Sequence, residues 1–329
     1  MTNRRAGAIA TAGTATLKYR GPMIRILIAS VAAAAALSAA PPLPASLQAM
    51  VDAERAFSRR AAEVGMRDSF LEFFADDAVR FDAAPGPAKV FLRQLKPQPP
   101  SIVELKWEPR FGDTAASGEL GYLTGPAMRV VHNDPPAAPA HICYFSIWRK
   151  QANSSYKVFI DQGIGTPNAP SFAPDFTRAD ATDRFAGDAR NAQETLTAAD
   201  RSAGPPLARD ARLYRDGMMP FVGDAAARQM AQPRETTTKR ESLFASAAMS
   251  GDVGVTYGKY TVTPGGPEEG GHYVRSYFNF LLHRRNRMAF LAGSRTSGPS
   301  SVLSIGTSAA RSRSSTADRA DSSDSITSK

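Results

Sequence analysis

Two stretches of the chain resemble each other closely, and this internal repetition limits the possible folds more than any other feature. Ser117–Tyr122 reads SGELGY, and Ser250–Val255 reads SGDVGV. Each stretch is followed by a histidine, His141 or His272, that opens an apolar run. Because the spacing is held over successive landmarks, it indicates an internal duplication, and a period this long is typical of two domains rather than of a solenoid.

The composition suits two globular domains and argues against a nucleic-acid partner. The 329 residues have a hydrophobic content of 43% and a net charge of +9. Residues 1–40 carry five basic residues and no acidic one, whereas the rest of the chain carries 35 basic and 31 acidic residues. Once the N-terminus is set aside, no dense basic stripe remains for a nucleic acid to bind.

The N-terminus predicts a secretory signal segment over residues 1–40, and therefore a periplasmic or secreted protein. Arg25 precedes an alanine-rich run that is short for a membrane span, so we expect no stable membrane insertion after the segment is removed. Met23 stands just before this run, so residues 1–22 also fit a misassigned start. An uncleaved anchor and twin-arginine export, from Arg4 and Arg5, are the alternatives.

The sequence predicts neither a metal site nor a cofactor. Cys143 is the only cysteine, so no intramolecular disulfide can form, and its apolar neighbours indicate a buried thiol. The four histidines lack metal-binding spacing, and no phosphate-binding loop or dinucleotide fingerprint occurs.

The first domain is predicted over residues 41–164. It begins with a helix over 46–64, with Ser46 as the N-cap and Gly65 as the terminator. Helical spacing predicts one inward-facing stripe on this helix: Leu47, Met50, Val51, Glu54, Phe57 and Ala61. The next elements are a helix over 67–75, a strand over 78–81, and strands over 102–112, 120–131, 141–150 and 156–162. Helices followed by antiparallel strands indicate an α+β fold.

The second domain is predicted over residues 191–295, after a linker over 165–190. Its helices run to about Ser202 and lie near Ala208–Met218. The predicted strands cover about 239–250, 253–263, 271–284 and 287–293. Residues 296–329 contain 12 serines in 34 residues and predict a disordered tail, although a frameshift would produce the same change in composition.

Several ordered motifs occur in the first domain. They are AERAF at 53–57, FADDAV at 74–79, WEP at 107–109, SGELGYLTG at 117–125, WRKQ at 148–151 and YKV at 156–158. In this order they resemble the SnoaL-like, nuclear transport factor 2-like superfamily, in particular bacterial members of unassigned function. The match covers about 47–164.

The second domain resembles the same family more weakly, over about 191–294, as a degenerate copy. When the two copies are aligned by spacing, Asn279 stands in the place of Trp148, and Ala292 stands in the place of Asp161. The second copy would therefore offer fewer polar groups to a ligand.

The resemblance implies two tandem cone-shaped α+β domains. In each, a curved antiparallel sheet wraps around N-terminal helices and leaves a pocket at its open end. Relatives include ketosteroid isomerases, polyketide cyclases and noncatalytic binding or dimerisation modules, so the fold alone does not decide the function. The duplication predicts that the two sheets superpose strand for strand, with His141 over His272.

A proton-transfer enzyme of this fold needs a carboxylate or histidine base inside an apolar cone. The catalytic candidates in the first domain are His141, Asp161, Glu54 and Asp77. Structural roles compete with catalysis for three of them: Glu54 also suits a cap or salt bridge, Asp77 a turn cap, and His141 a hydrogen-bonded strand edge. Four aromatic residues are the predicted lining of a ligand pocket: Trp107, Tyr122, Tyr144 and Trp148.

Three functions fit this sequence. The leading hypothesis is a protein that binds a small apolar or amphipathic ligand in the first cone. The second is an isomerase or cyclase-like lyase with a carboxylate or His141 as its base. The third is a noncatalytic scaffold, whose two domains pair within one chain or which forms a homodimer. A buried carboxylate in a pocket favours the enzyme, and a pocket without titratable groups favours the ligand-binding protein. A cone filled by side chains favours the scaffold.

Overall fold

The fold is seen in a computed structural model that describes residues 42–81, 84–133, 135, 137–179, 189–201, 207–233, 237–262, 269–278 and 287–295, with the backbone alone at 189–190, 269, 278 and 287–295. The predicted signal segment and the serine-rich tail lie outside these residues. Tertiary contacts separate Met1–Leu43 from one compact unit, Pro44–Lys329, which contains every element described below. We call residues 44–179 the first half and residues 189–295 the second half.

Three helices belong to the first half: α1 (Ala45–Val64), α2 (Met66–Phe73) and α3 (Ala88–Gln94). The inward-facing stripe predicted for α1 is confirmed, because all six of its residues are buried. Gly65 ends α1 at a φ of 84°, in the left-handed region that favours glycine. The predicted N-cap is wrong. The helix already begins at Ala45, after Pro44, and no side chain caps it.

The first half contains one eight-stranded sheet. Its strands are β1 (Phe74–Phe81), β2 (Pro85–Pro87), β3 (Val103–Trp107), β4 (Phe111–Thr114), β5 (Leu120–Val131), β6 (Ala140–Lys150), β7 (Tyr156–Thr166) and β8 (Thr177–Arg178). Their order is β2-β1-β7-β6-β5-β4-β8, and β3 also pairs with β5. The strand predicted over 102–112 is divided at Pro109, because proline has no N–H for the ladder. The strand β7 extends to Thr166, into the predicted linker.

The second half has the helices α4 (Ala189–Arg201) and α5 (Asp224–Met230) and a six-stranded sheet. Its strands are β9 (Leu207–Arg215), β10 (Phe221–Val222), β11 (Lys239–Ala247), β12 (Val253–Val262), β13 (Glu269–Phe278) and β14 (Arg287–Arg295). The helix predicted near Ala208–Met218 is wrong. This segment is β9, whose pairing with β14 and burial of Ala211 and Leu213 override its weak helical pattern.

The α+β class is confirmed, since a helix precedes a curved, mostly antiparallel sheet in each half. The sheets are mixed rather than purely antiparallel, because β1 runs parallel to β7 and β9 runs parallel to β14. The second sheet has the order β10-β9-β14-β13-β12-β11, which matches the run β2-β1-β7-β6-β5-β4 of the first sheet. Strand order and strand direction therefore correspond between the halves.

The two serine motifs lie in β-turns that face each other. The backbone N–H of Ser117 donates to Oγ of Ser250 at 3.1 Å, and the N–H of Ser250 donates to Oγ of Ser117 at 3.1 Å. Both turns contain a glycine at positive φ, Gly118 at 79° and Gly251 at 66°. Two further bonds flank the serines in a matching arrangement: Ala116 N to the Asp252 carboxylate at 3.0 Å, and Met249 N to Glu119 Oε1 at 2.6 Å. The contact is thus reciprocal, residue for residue.

Because the contact is reciprocal, the two motif serines serve as a common starting point for numbering positions in the two sheets. We call two residues equivalent when they occupy the same position relative to this starting point, by residue count or by strand pairing. In the first sheet Leu123 pairs with Ser146, and in the second Thr256 pairs with Arg275. Leu123 and Thr256 each lie six residues after a motif serine, so Ser146 and Arg275 are equivalent.

The register corrects the predicted superposition of the histidines. Gly270 occupies the place equivalent to His141, and His272 occupies the place equivalent to Cys143. The connection between β5 and β6 is longer than that between β12 and β13, so counting residues from the serines misaligns the later strands.

The same correction applies to the two positions aligned by spacing. Tyr277, not Asn279, is equivalent to Trp148, since Tyr277 pairs with Gly254 and Trp148 pairs with the equivalent Gly121. Leu291, not Ala292, is equivalent to Asp161, since these residues pair with Arg275 and Ser146.

The two sheets pack face to face through one apolar cluster. The first half contributes residues of β4, β5, β6 and β7, and the second half contributes residues of β9, β12 and β13. Its members include Phe111, Tyr122, Cys143, Phe145, Ile147, Phe159, Tyr214, Val253, Val255 and Val274. Buried polar contacts also cross the interface, among them the hydrogen bond between Thr124 Oγ1 and Tyr214 Oη at 2.9 Å. The intrachain interface is therefore largely a hydrophobic core.

Within the described ranges, no helix is both long and apolar enough to cross a membrane.

Candidate functional site

A buried carboxylate lies between α1 and the sheet of the first half. Glu54 belongs to the inward stripe of α1 and is 1% exposed. It accepts hydrogen bonds from Trp107 Nε1 at 2.6 Å, Ser146 Oγ at 2.7 Å and Trp148 Nε1 at 2.8 Å. Burial raises the pKa of Glu54 although these three donors act to lower it. The network fixes the carboxylate in place, as a buried charge requires.

The alternation of β6 explains why these donors meet at Glu54. Tyr144, Ser146 and Trp148 lie on the face of β6 that is turned towards α1, because successive side chains of a strand point to opposite faces. Cys143 and Phe145 lie on the other face and belong to the apolar cluster between the halves. One strand therefore supplies both the site and the interface.

Next to this network lies a small cavity between the helices and the sheet. Its apolar walls come from α1, α2, β3, β5 and β6, and its polar groups come from Tyr144 and Asp161. The lining residues are Phe57, Phe70, Leu105, Trp107, Ala127, Ile142, Tyr144, Asp161 and Gly163. The cavity has a volume of about 20 Å³, which is room for about one water molecule.

Asp161 is the ionisable group on the cavity wall. It lies on β7 directly opposite Ser146 and is half-buried. Burial, and secondarily the charge of Glu54, hold the pKa of Asp161 well above its usual range. No hydrogen bond to its carboxyl group occurs among the described residues. An unengaged carboxyl group with a raised pKa in an apolar cavity is a candidate for donating or accepting a proton.

Tyr144 supplies the second polar group of the cavity. Its hydroxyl is buried, and it contacts no hydrogen-bond partner within the described part of the chain. Burial raises the pKa of Tyr144 well above its usual value, with smaller contributions from Glu54 and Asp161, so the hydroxyl stays protonated. A buried hydroxyl without a partner costs about 1–3 kcal/mol, and a ligand acceptor would relieve that cost.

The sequence-predicted site residues separate into two groups. Glu54, Trp107, Tyr144 and Asp161 come together at the cavity or its hydrogen-bond network, and Trp148 joins them through Glu54. Three other candidates lie elsewhere: Tyr122 in the interface cluster, half-buried His141 on the face of β6 opposite Tyr144, and exposed Asp77 in an ion pair with Arg149 at 2.5 Å.

Sequence reasoning missed Ser146 and Phe70. Ser146 is the one small hydroxyl residue within the apolar stretch 142–148, and a lone polar residue in a buried strand points to a specific partner. Phe57 was placed correctly on the inward stripe of α1. Its contact with Phe70 on α2, with ring centroids 4.8 Å apart, has no sequence signal because it depends on how the helices pack.

The equivalent place in the second half holds a different network. Asp200 of α4 accepts hydrogen bonds from Thr256 Oγ1 at 2.7 Å, Tyr273 Oη at 2.7 Å and Tyr277 Oη at 3.0 Å. Arg275 pairs with the same carboxylate at 3.3 Å. Tyr273 and Arg275 are equivalent to Tyr144 and Ser146. A buried ion pair thus lies where the first half has neutral donors.

In the part of the chain that the structure describes, no group of three or more His, Cys, Asp or Glu side chains is placed to hold a metal ion.

Comparison with known proteins gives a likeness of fold. No family model matches the chain, and no curated protein matches it. Among solved structures, a ketosteroid isomerase-like protein from Erwinia carotovora is 14% identical, with 36% of this chain and 91% of that chain covered and a TM-score of 0.27. A putative polyketide cyclase from Xanthomonas campestris is 12% identical, with the same coverage and TM-score.

A third solved structure is the CaMKII hub of S. rosetta, which is 15% identical. The match covers 38% of this chain and 99% of the hub chain, at a TM-score of 0.29. Each of these matches is a likeness of fold over a little more than a third of the chain. It carries no statement about activity.

Proposed function

We propose that the first half binds a small, mainly apolar molecule that carries a hydroxyl or carbonyl group. The carrying observation is that the hydroxyl of Tyr144 and the carboxyl group of Asp161 converge on an otherwise apolar cavity. A few placed polar groups in an apolar wall are the usual composition of a ligand site. Because the cavity is small and Asp161 is half-buried, the polar end of the ligand would enter while the remainder extends past Asp161.

The chain offers a matched control for this proposal. Tyr273 is equivalent to Tyr144, but its hydroxyl donates to Asp200 and is already engaged. Phenol and toluene are matched probes, since they differ mainly in the hydroxyl group. We expect phenol to bind more tightly than toluene, and Tyr144→Phe to weaken phenol binding about 5- to 10-fold, the worth of one hydrogen bond.

Binding is measured by NMR titration of the full chain. The proposal requires that Tyr273→Phe leave the phenol affinity unchanged. Equal affinities for phenol and toluene, or an equal loss in both tyrosine variants, would place the ligand elsewhere and refute the proposal.

A second candidate function is proton transfer, as in an isomerase or a cyclase-like lyase. The observation in its favour is the raised pKa of Asp161, which makes its carboxylate a better base beside the hydroxyl of Tyr144. The test is deuterium exchange into the α-carbon of cyclohexanone, with wild-type chain against Asp161→Asn. Exchange that the variant abolishes supports catalysis, whereas equal exchange in both proteins leaves the binder as the function. We do not propose His141 as the base, because it lies on the opposite face of β6.

We also infer that the second half is a diverged copy of the first and acts as its built-in partner. Matching strand order, reciprocal serine contacts and a shared apolar cluster support this inference. A pairing role needs no ligand in the second half, so variants of its polar interior should alter stability before they alter ligand binding in the first.

Export is a further proposal. It rests on the apolar run that follows Arg25 and on the small residues before Pro41. N-terminal sequencing of the protein from an extracytoplasmic fraction should begin between Ala40 and Ser46. Protein found in the cytoplasm with Met23 retained would contradict it.

A further inference from the structure

Arg275 is a buried cation in the interior of the second half. It is 0% exposed and lies on β13, at the place equivalent to Ser146 in the first half. Ser146 faces Glu54 beside the cavity, and Arg275 correspondingly faces Asp200 of α4. A guanidinium that is fully removed from water needs acceptors for its N–H groups, since each one left unpaired is costly.

Only one end of this guanidinium is engaged. Nη1 donates to the Asp200 backbone carbonyl at 2.9 Å, to Asp200 Oδ1 at 3.3 Å and to Tyr277 Oη at 3.2 Å. Nε and Nη2 contact no acceptor among the residues that the structure describes. All three hydrogen bonds that Arg275 makes within the described residues therefore leave from a single nitrogen, Nη1.

The two unengaged nitrogens lie on the same edge of the guanidinium plane. In arginine, the N–H of Nε and one N–H of Nη2 point in the same direction and match the two oxygens of a carboxylate or phosphate. A lysine or a single hydroxyl cannot reproduce this parallel pair of donors. The structure thus presents a complete bidentate edge, aligned by the bonds that Nη1 makes on the other side.

Asp200 does not depend on Arg275 alone for its stabilisation. Its carboxylate accepts hydrogen bonds from Thr256, Tyr273 and Tyr277, three neutral hydroxyl donors. Because these donors share the charge of Asp200, the ion pair occupies only the Nη1 side of the guanidinium. A singly charged ligand suits the other side better than a doubly charged one, since Asp200 already offsets the charge of Arg275 and each added negative charge raises the cost of burial.

The residue opposite on the neighbouring strand differs between the two halves. In the first half, Asp161 stands opposite Ser146 on the neighbouring strand. In the second half, Leu291 occupies the register position opposite Arg275. No carboxylate at that position competes for the free edge.

We propose that the Nε–Nη2 edge of Arg275 is a binding site for the carboxylate group of a small monocarboxylate. The second half then carries an anion site that is separate from the cavity of the first half. The two halves would bind ligands of different chemistry, a hydroxyl or carbonyl compound in the first and a carboxylate in the second. This proposal does not depend on the function proposed for the first half.

The test is NMR detection of the arginine side-chain Nε–H signals in the full chain during titration with acetate. The ionic strength is held constant, and acetamide is the neutral probe of the same shape. We expect one Nε–H signal, which Arg275→Lys removes, to shift with saturation at millimolar acetate. Acetamide should leave it in place, and phosphate should bind at least tenfold more weakly than acetate.

Two variants complete the experiment. Arg275→Lys keeps the charge beside Asp200 but removes the bidentate edge, and it should weaken acetate binding at least tenfold. Arg149→Lys, in an exposed ion pair of the first half, should leave the binding unchanged. If Arg275→Lys does not fold, the Nε–H signal is assigned through Tyr277→Phe, which alters a direct neighbour of Arg275.

Three outcomes would overturn the proposal. A linear, unsaturated shift with acetate means that the anion has no site at this edge. An equal response to acetamide means that the edge binds water or any acceptor rather than a carboxylate. Tighter Arg275-dependent binding of phosphate than of acetate means that the ligand class is wrong.

Discussion

Both halves bury a carboxylate between a helix and a sheet, but they stabilise it with different groups. Each brings a carboxylate from its first helix against the same positions of its sheet, Glu54 in the first half and Asp200 in the second. Glu54 is held by two indoles and a hydroxyl, all of them neutral, whereas Asp200 is held by hydroxyl groups and a guanidinium.

The difference shows how one interior can serve two purposes. Neutral donors around Glu54 leave the carboxyl groups of the first half without a cation, so that burial and mutual repulsion raise the pKa of Asp161 beside an open cavity. A cation at the equivalent place neutralises Asp200 and occupies the interior of the second half with the Arg275 side chain. The first half is therefore suited to proton chemistry and the second to charge pairing.

The largest expected effect is the loss of the carboxylate in the second half. Asp200→Ala leaves the guanidinium of Arg275 buried without its counter-ion, so we expect unfolding free energy to fall by about 3–5 kcal/mol. Urea denaturation measures this change. Asp200→Asn is the control, since it keeps an acceptor and should cost less. A loss below about 1 kcal/mol for Asp200→Ala would show that the ion pair does not hold the interior.

A smaller effect is expected for the corresponding change in the first half. Glu54→Gln keeps the shape and one acceptor oxygen, but its amide NH2 then faces either Trp107 Nε1 or the Ser146 and Trp148 donors, so about 1–3 kcal/mol of stability should be lost. The same urea experiment applies. If this variant cost more than Asp200→Ala, the contrast between neutral and charged networks would be reversed.

The third prediction concerns pH and Asp161. Its pKa is raised in the folded state, so below about pH 3.9 the carboxyl is protonated in both states and has no effect. Above that pH the unfolded chain ionises first, so the contribution of Asp161 to stability falls until the pH passes its folded pKa. Asp161→Asn removes this pH-dependent loss of stability. The unfolding free energy of the variant, relative to that of the wild type, should therefore rise with pH.

Denaturation at a series of pH values measures this effect, with a slope of at most about 1.4 kcal/mol per pH unit. Asp76→Asn is a control of opposite sign. The hydrogen bond and charge of Lys89 lower the pKa of exposed Asp76, so this carboxylate stabilises the fold above its unfolded pKa. Its removal should therefore reduce stability as the pH rises. The same pH trend in both variants would contradict the burial of Asp161.

The smallest effect is expected where the halves are alike. Ser117→Ala and Ser250→Ala remove equivalent hydroxyl groups from an exposed contact, so each should change stability by no more than about 0.5 kcal/mol. Ser250→Ala should cost slightly more than Ser117→Ala, because Ser250 Oγ also donates to the Asp252 carboxylate. A loss above about 1 kcal/mol for Ser117→Ala would show that this exposed contact contributes more than a surface substitution normally does.

The sequence predicted those parts of the fold that have one polar face. The sequence predicts all six buried residues of the inward stripe of α1, because helical spacing separates them from the solvent-facing residues. The sequence does not show which side chains of β6 face α1 and which face the interface between the halves. Both faces of this strand are buried, and its run is continuously apolar. Tyr144 and Tyr122 were therefore assigned to one pocket, although Tyr122 lies in the interface.

The helix predicted near Ala208–Met218 failed for a related reason. The segment contains alanine and arginine, which favour helices, and only its pairing with β14, far along the chain, makes it a strand. The equivalence of Arg275 and Ser146 was likewise hidden, because connections of different length break the spacing between the motifs. Pairing register, rather than residue count, carries that information.

The reciprocal contact of the two serine turns has a consequence for how this chain can change. An isologous contact uses one surface twice, so a substitution in either motif disturbs a surface that the other must still fit. A covalent link keeps the two surfaces at high effective concentration, so that even a modest contact holds them together. Selection on the pairing therefore falls on the turns and the shared cluster. On the proposed duplication, the interior of the second half is free to diverge, and a guanidinium in place of a hydroxyl, Arg275 where the first half has Ser146, is the change that this freedom permits.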